Sequence, residues 1–385
     1  MNILIFAQDF KPNSGGIAEY THQIARELHL RGHEVCVVCP PLESEKEGED
    51  VSLGYPVLRQ HFPLGPLGLL IRVFQRISLV RKQQPDILFL NALHSDPMAN
   101  FIVSKLLRIP IAIAVYGMEI KHRYPPLRQI ELSMIFRHID GLVAASKYAR
   151  EQAEVLTLGK TKAQVVYPCC DRDRFDKAAS EDGPSGNGNR QPLVFFSLCR
   201  HVRRKGLDKA LLAFARVSRE WPDCIYLIGG EGPDTPRLKK LAEELNLEGK
   251  VVFLGRLSEK EKEKRFADAF CFVMPSRELP DGDVEGFGIV YLEAAKYGVP
   301  SIGGDSGGVP EAVLHEETGL LASPPTHRKI AECMRQLLYD RDLRDTLGLN
   351  AQRRLAAELN IGIQAERLVA FFEELIALKG KKSAS

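Results

Sequence analysis

The chain has 385 residues, 44% hydrophobic and 26% charged, with 52 Lys and Arg against 50 Asp and Glu for a net charge of +2. That length exceeds what one hydrophobic core usually organises and predicts two domains, while the apolar fraction excludes a disordered chain. The near-zero balance excludes a protein built to lie along nucleic acid, and no apolar run reaches the roughly 20 residues of a membrane span.

From the N-terminus, MNILIFAQDF enters an apolar strand pattern at 2–7 with no basic leader or cleavage site, so a cytoplasmic location is the expectation. A helix pattern at 16–31 follows, then EVCVVC at 34–39, a helix pattern at 67–83, and DILFLN at 86–91. Further strands are expected at 111–115 (IAIAV), 141–144 (GLVA) and 164–167 (QVVY). This alternation predicts β-α-β units on a buried parallel sheet, giving a first domain over 1–178. Residues 179–192, ASEDGPSGNGNRQP, hold no large apolar side chain and have linker composition. The alternation then restarts: LVFFSL at 193–198, a helix at 207–219, CIYLIG at 224–229, a helix at 234–245, VVFL at 251–254, CFVM at 271–274, a helix around 288–297 and VPSIGG at 299–304. A second domain over 193–365 is expected, with a C-terminal helix and tail at 366–385 packing back on the first. The fold class is therefore α/β, two tandem doubly wound Rossmann-like domains with an interdomain cleft, and ligands belong just beyond the carboxyl ends of the strands. The eight cysteines are scattered and mostly lie in strand-like runs, which fits a reducing compartment. Cys36 and Cys39 form a CxxC, but no second pair completes a zinc shell and strand spacing explains them.

The motifs follow strands. After the first comes DFKPNSGGIAEY, where Gly15 and Gly16 precede a helix and can bring backbone N–H groups to an anion; a simple tight turn is the alternative. After LVFFSL come Arg200, Arg203, Arg204 and Lys205-Gly206, four cations within six residues, able to neutralise a diphosphate or to form a solvated basic loop. Glu285 and Glu293 bracket Gly286-Phe287-Gly288, Glu285 in a loop and Glu293 about two turns along the helix. Carboxylates accept hydrogen bonds from sugar hydroxyls, and glycines free the N–H groups of a helix start for phosphate. Gly229-Gly230-Glu231-Gly232 lacks the GxGxxG spacing, which disfavours a dinucleotide-dependent oxidoreductase.

Taken together, SGGIAEY, Arg200 with Lys205-Gly206, PSRE at 275–278, Glu285-x7-Glu293, SGGVPEAV at 306–313 and ETGLL at 317–321 resemble the retaining glycosyltransferases of family 4, the group-1 class with the GT-B fold. Within that class the chain looks most like mannosyltransferases acting on phosphatidylinositol and on lipopolysaccharide or exopolysaccharide acceptors. The resemblance implies transfer of a hexose, mannose by preference, from a GDP- or UDP-sugar to a hydroxyl of a lipid-linked or glycan acceptor, with neither metal nor other cofactor required. It implies that Arg200 and Lys205 hold the donor diphosphate, that Glu285 faces the sugar, and that the backbone of Gly286, Phe287, Gly288, Ile289 and Val290 completes the site. Glu293 would bind the ribose, Arg256 and Leu257 would flank the base, and Gly16 would reach the phosphate from the first domain. The expected route is front-face attack, with the leaving phosphate taking the acceptor proton. One position departs from the family's His-Gly-x-Glu: here Tyr116-Gly117-Met118-Glu119 places a tyrosine that either contacts the sugar or packs at the strand end. An epimerase of the same fold lacks this Glu-x7-Glu with Lys-Gly, and a nucleotide-sugar-binding scaffold without catalysis has only Tyr116 in its favour.

Charge is uneven. Residues 51–137 carry eleven cations and four acids, whereas 43–50, ESEKEGED, is acidic. Within the basic stretch LGPLGLLIRVFQRISLVRKQQ is an amphipathic pattern with two open readings, a packing helix with a solvated basic edge or a helix lying on the inner face of an anionic membrane.

Overall fold

The computed structural model describes residues 1–12, 16–41, 53–61, 63, 65–93, 96–117, 126–169 and 193–384. The expected linker at 179–192, the acidic stretch at 43–50, Gly15, Met118 and Glu119 lie outside the described residues. The chain divides into two compact units, Met1–Pro168 with Ile361–Ser385, and Cys169–Asn360.

In the first unit the elements are β1 (Asn2–Phe6), α1 (Gly16–Leu30), β2 (Glu34–Cys39), β3 (Val57–Arg59), α2 (Gly65–Gln83), β4 (Ile87–Leu90), α3 (Pro97–Leu107), β5 (Ile111–Val115), α4 (Pro126–His138), β6 (Gly141–Ala144), α5 (Lys147–Thr157) and β7 (Lys162–Val165). They form a parallel sheet of order β3-β2-β1-β4-β5-β6-β7, with Ile3 opposite both Val35 and Ile87. Every residue of β4, β5 and β6 is buried, which is why these runs read as unbroken apolar stretches: a parallel sheet is covered on both faces. Leu4, Leu88, Ile113 and Leu142 point to the face packed by α2, α3, α4 and α5. On the opposite face α1 is joined by α13 (Ile361–Ala384), whose Phe372 meets Phe89 edge-on at 5.2 Å and whose Lys379 is 2.9 Å from Asp140. This helix begins at Ile361, earlier than the expected 366. β7 lies two residues before the expected 164–167, because the Val166 N–H already closes the strand on the Ala144 carbonyl at 2.9 Å. Cys36 and Cys39 are buried in β2, and burial pushes the Cys36 thiol up to about 11, far from a reactive thiolate.

The second unit contains β8 (Leu193–Leu198), α6 (Leu207–Glu220), β9 (Cys224–Gly229), α7 (Thr235–Glu244), β10 (Val251–Gly255), α8 (Glu259–Ala267), β11 (Cys271–Met274), α9 (Ile289–Lys296), β12 (Ser301–Gly304), α10 (Val309–Ala312), β13 (Gly319–Ala322), α11 (His327–Tyr339) and α12 (Arg341–Ala357). Its parallel sheet has the order β10-β9-β8-β11-β12-β13. In both sheets the winding reverses once, between β1 and β4 and between β8 and β11. Loops leaving those strands diverge to opposite faces and open a crevice at the carboxyl edge, where ligands of such sheets bind. Among the described residues no helix is long and apolar enough to cross a membrane.

Candidate functional site

The loops leaving β8 and β11 hold the motifs of the second unit. After Leu198 the chain runs through Arg200 into a single 3-10 turn, Arg203–Lys205, and through Gly206 into α6. Gly206 has φ 72°, and a Cβ there would stand 2.1 Å from the Pro275 carbonyl oxygen. Glycine is required because this loop crosses the backbone leaving β11 at van der Waals contact. Two further links hold the crossing. The Arg277 N–H donates to the Arg204 carbonyl at 2.7 Å, and the Arg277 guanidinium forks onto both carboxylate oxygens of Asp208 at 2.8 and 3.1 Å.

At this crossing Lys205 Nζ donates to Glu285 Oε2, and each residue is only 9% exposed. Arg204 Nε lies 3.8 Å from the same oxygen, and its Nη1 donates to Asp283 Oδ1 at 3.2 Å. Burial is the largest influence on the Glu285 carboxyl and opposes its charge, but Lys205 and Arg204 outweigh it and hold its pKa below the ordinary carboxylate value. From behind, the Glu285 carbonyl accepts the Gly308 N–H at 3.0 Å, which seats SGGVPEAV under the carboxylate loop. The result is an anionic side chain held ready by two cations at the rim of a helix start, a site able to trade its internal ion pair for contacts with a charged, hydroxyl-rich ligand.

The other expected residues are distributed as follows. Arg200 is exposed, Gly286, Phe287 and Gly288 are buried, and Ile289 and Val290 are half-buried at the start of α9. Glu293 is half-buried and about one turn into α9, a correction of the expected two turns: the chain from Glu285 to Gly288 is loop, so the helix starts later than the glycine spacing suggested. Arg256 and Leu257 follow β10; the Arg256 side chain is 87% exposed with Nε 3.4 Å from Glu231 Oε2, and Leu257 is half-buried. In the first unit Gly16 is exposed at the first position of α1. Tyr116 follows β5, half-buried, its hydroxyl 3.1 Å from both the backbone carbonyl and Oδ1 of Asn91 and its ring edge-on to Tyr20 at 6.4 Å. Asn91 Nδ2 in turn donates to Thr21 Oγ1 at 2.5 Å. Tyr116 therefore braces the ends of β4 and β5 and the first turns of α1.

Asp283 and Asp208 were not singled out in the sequence, and Arg204, Arg277 and His201 stood inside its motifs without an assigned partner. The imidazole of His201 is buried, with Nδ1 2.8 Å from Thr235 Oγ1 and Nε2 3.3 Å from the Gly229 carbonyl, and burial lowers its pKa. It ties the end of β8 to the start of α7. The motifs did not reveal these pairings, because each residue acts through a partner distant in sequence; the charge density of the loops at 203–208 and 277–285 is the signal that could have found them. Among the described residues no group of three or more His, Cys, Asp and Glu is placed to hold a metal ion.

Comparison with known proteins completes the picture. Residues 14–174 match the family profile described as Glycosyltransferase Family 4, and residues 181–354 match Glycosyl transferases group 1. A GDP-mannose-dependent alpha-(1-6)-phosphatidylinositol monomannoside mannosyltransferase of Mycolicibacterium smegmatis is 30% identical over 349 residues, covering 88% of this chain and 89% of its own. The chain belongs to the group 1 glycosyltransferases of family 4. Among solved structures, a glycosyltransferase from Rickettsia africae superposes with a TM-score of 0.80 at 16% identity, over 97% of this chain and 99% of its own. Anabaena HepE in complex with UDP gives 0.77 at 19% identity, over 97% and 100%. These likenesses identify the fold as GT-B, and the two doubly wound sheets are its two Rossmann-like domains. The protein is a glycosyltransferase.

Proposed function

We propose that this glycosyltransferase moves mannose from GDP-mannose to a hydroxyl of a lipid-linked or glycan acceptor, with retention at the anomeric carbon and without a metal or other cofactor. The observation that carries the site assignment is the buried Lys205–Glu285 pair at the winding reversal of the second sheet, beside the start of α9. In this reading the donor diphosphate takes Lys205 and Arg200, the donor sugar's hydroxyls take Glu285, and the backbone from Gly286 to Val290 lines sugar and phosphate. Glu293 receives the ribose, and Arg256 and Leu257 the base. The bond from anomeric carbon to phosphate oxygen breaks as the acceptor oxygen attacks the same face, and the departing phosphate takes the acceptor proton. Negative charge rises on the leaving nucleoside diphosphate, so a fixed ammonium and a helix N-terminus lower the barrier. The choice of GDP-mannose is supported by the name of the Mycolicibacterium relative, and a UDP-sugar is the alternative because of the UDP held by HepE. We place the reaction in the cytoplasm, the compartment that fits cysteine thiols buried in strands.

A thermal-unfolding panel of nucleotide-sugars tests the donor. A ligand that binds only the folded chain stabilises it by RT ln(1 + [L]/Kd), about 2.7 kcal/mol at a hundredfold excess over Kd. GDP and GDP-mannose are expected to raise the melting temperature and UDP-sugars to leave it unchanged; stabilisation by UDP-sugars alone would end the mannose assignment.

A further inference from the structure

The Gly229-Gly230-Glu231-Gly232 loop after β9, which lacks the dinucleotide spacing, has a backbone clamped from both sides. The Gly230 N–H donates to the Gly255 carbonyl at 2.7 Å, the His201 N–H to the Glu231 carbonyl at 3.0 Å, and the Asp234 N–H to the His201 carbonyl at 3.1 Å. The Gly232 N–H donates to Thr235 Oγ1 at 3.0 Å, the same hydroxyl that meets His201 Nδ1. A Cβ on Gly230 would stand 2.1 Å from the Cys199 carbonyl oxygen, and one on Gly232 would stand 2.4 Å from that of His201. Glycines flank Glu231 because the loops leaving β8 and β9 touch backbone to backbone. The ends of β8, β9 and β10 are thereby tied together around Glu231.

The backbone of Glu231 is fixed, yet its side chain faces outward. It is 55% exposed, with Oε2 3.4 Å from Nε of Arg256, itself 87% exposed. The other carboxylate oxygen lies over the end of β10, 3.3 Å from where a Cβ on Gly255 would stand. An ion pair this exposed contributes little to stability and opens at little cost, so the fold alone does not account for a clamp built around it. In the sheet β9 lies next to β8 and β10 next to β9. The acid–base couple therefore stands about two strand spacings, roughly 10 Å, from the reversal that carries Lys205 and Glu285, a distance that the ribose and base of a nucleotide can bridge.

We propose that Glu231 and Arg256 read the edge of the donor's base and select guanine, Glu231 accepting from N1–H and the N2 amino group and Arg256 donating to O6. Along that edge guanine presents two adjacent donors and then an acceptor, and a carboxylate beside a guanidinium is the complement of that order. Uracil holds its single N–H between two carbonyl oxygens, one of which would face the carboxylate, and adenine has a ring-nitrogen acceptor where guanine has N1–H. Selection against the wrong base therefore comes from repulsion as well as from lost hydrogen bonds. The clamped backbone fixes the point from which the carboxylate reaches, which limits its retreat from a mismatched edge. The proposal deepens the GDP-mannose reading and rests on it for the presence of a nucleotide in this crevice.

Titration calorimetry of the full chain with GDP, UDP and inosine diphosphate, which differs from GDP only in lacking the N2 amino group, tests it. The wild-type chain is expected to bind GDP roughly tenfold or more tighter than inosine diphosphate, and UDP more weakly than either. In Glu231→Ala the two purine nucleotides are expected to bind within about twofold of each other, with an unchanged urea midpoint showing that the variant folds. Arg256→Ala should weaken both alike and keep their ratio, because both bases retain O6. A loop that served only the fold would, when altered, weaken every nucleotide equally and leave the ratio alone. A GDP preference over inosine diphosphate that survives Glu231→Ala overturns the proposal and leaves the GDP donor standing, since the base is then read elsewhere. Equal binding of the two by the wild-type chain overturns it as well. A wild-type chain that binds UDP in preference to GDP fails the donor reading itself, and the guanine assignment falls with it.

Discussion

Lys205→Ala is expected to lower hexosyl transfer by about 10²- to 10³-fold, the usual consequence of removing one preorganised group that stabilises developing charge. The ammonium is not replaceable by solvent here, because it is only 9% exposed and sits against Glu285 in the crossing of two loops. Glu285→Ala is expected to be equally inactive for a different reason, since in the proposed function Glu285 is the acceptor for the donor sugar's hydroxyls. Glu285→Ala also leaves the buried Lys205 ammonium without its counterion, a situation that typically costs about 3–5 kcal/mol, whereas Lys205→Ala leaves Glu285 with Arg204 Nε at 3.8 Å and costs less. Lys205→Met/Glu285→Leu should therefore recover most of the stability lost by either single variant while remaining inactive, because the pair is kept for chemistry and a well-packed apolar pair satisfies the fold as well. Stability is read from urea unfolding followed by Trp221, the chain's single tryptophan, which packs edge-on against Tyr339 at 4.8 Å inside the second unit. Transfer is read from initial rates of nucleoside diphosphate release. Near-normal turnover in either single variant removes that residue from the site.

Gly206→Ala should damage both fold and activity. Alanine at φ 72° carries left-handed strain of about 1–2 kcal/mol. In addition its Cβ would have to clear the Pro275 carbonyl oxygen 2.1 Å away, a backbone atom that cannot swing aside, and overpacking of this kind adds about 1–3 kcal/mol. Gly249→Ala separates the two contributions, since Gly249 has φ 76° with nothing within 4 Å of the added carbon. We expect Gly249→Ala to cost about 1 kcal/mol with full activity, and Gly206→Ala to cost roughly two to four times as much, with transfer lost as Lys205 is pushed off Glu285. Equal unfolding midpoints for the two variants would show that the loop crossing bears no strain.

What was legible in the sequence follows from what each element needs. Strands buried on both faces must be unbroken apolar runs, so ILFL and IAIAV declared themselves, as did LVFFSL with Arg200 and Lys205 in the loop after it, but the strand order and its winding reversals were not legible. The Lys205-Gly206 step was visible because no other residue type tolerates both its conformation and its neighbour. Helix α8, EKEKEKRFA, has no apolar stripe to read; only its capping box, with Ser258 and Glu261 exchanging hydrogen bonds, marks its start. The three-residue edge strand β3 is too short to carry a period. Partner choice was the least visible feature. Lys205 and Glu285 are 80 residues apart, and Arg277 and Asp208 are 69, so the family resemblance gave Lys205 and Glu285 separate ligand roles where the folded chain pairs them with each other. Helix α2 was recognised, but the burial of Arg76 was not, because an amphipathic pattern does not reveal that a guanidinium stacked on Phe6 can occupy the interior.

Hydrogen–deuterium exchange of the intact chain with and without GDP tests the central assignment, the donor site at the winding reversal of the second sheet, most directly. Slowed exchange is expected in the backbone amides of 199–206 and 285–293, with β12 and β13 unchanged. Protection absent from both segments and concentrated elsewhere in the chain would contradict it.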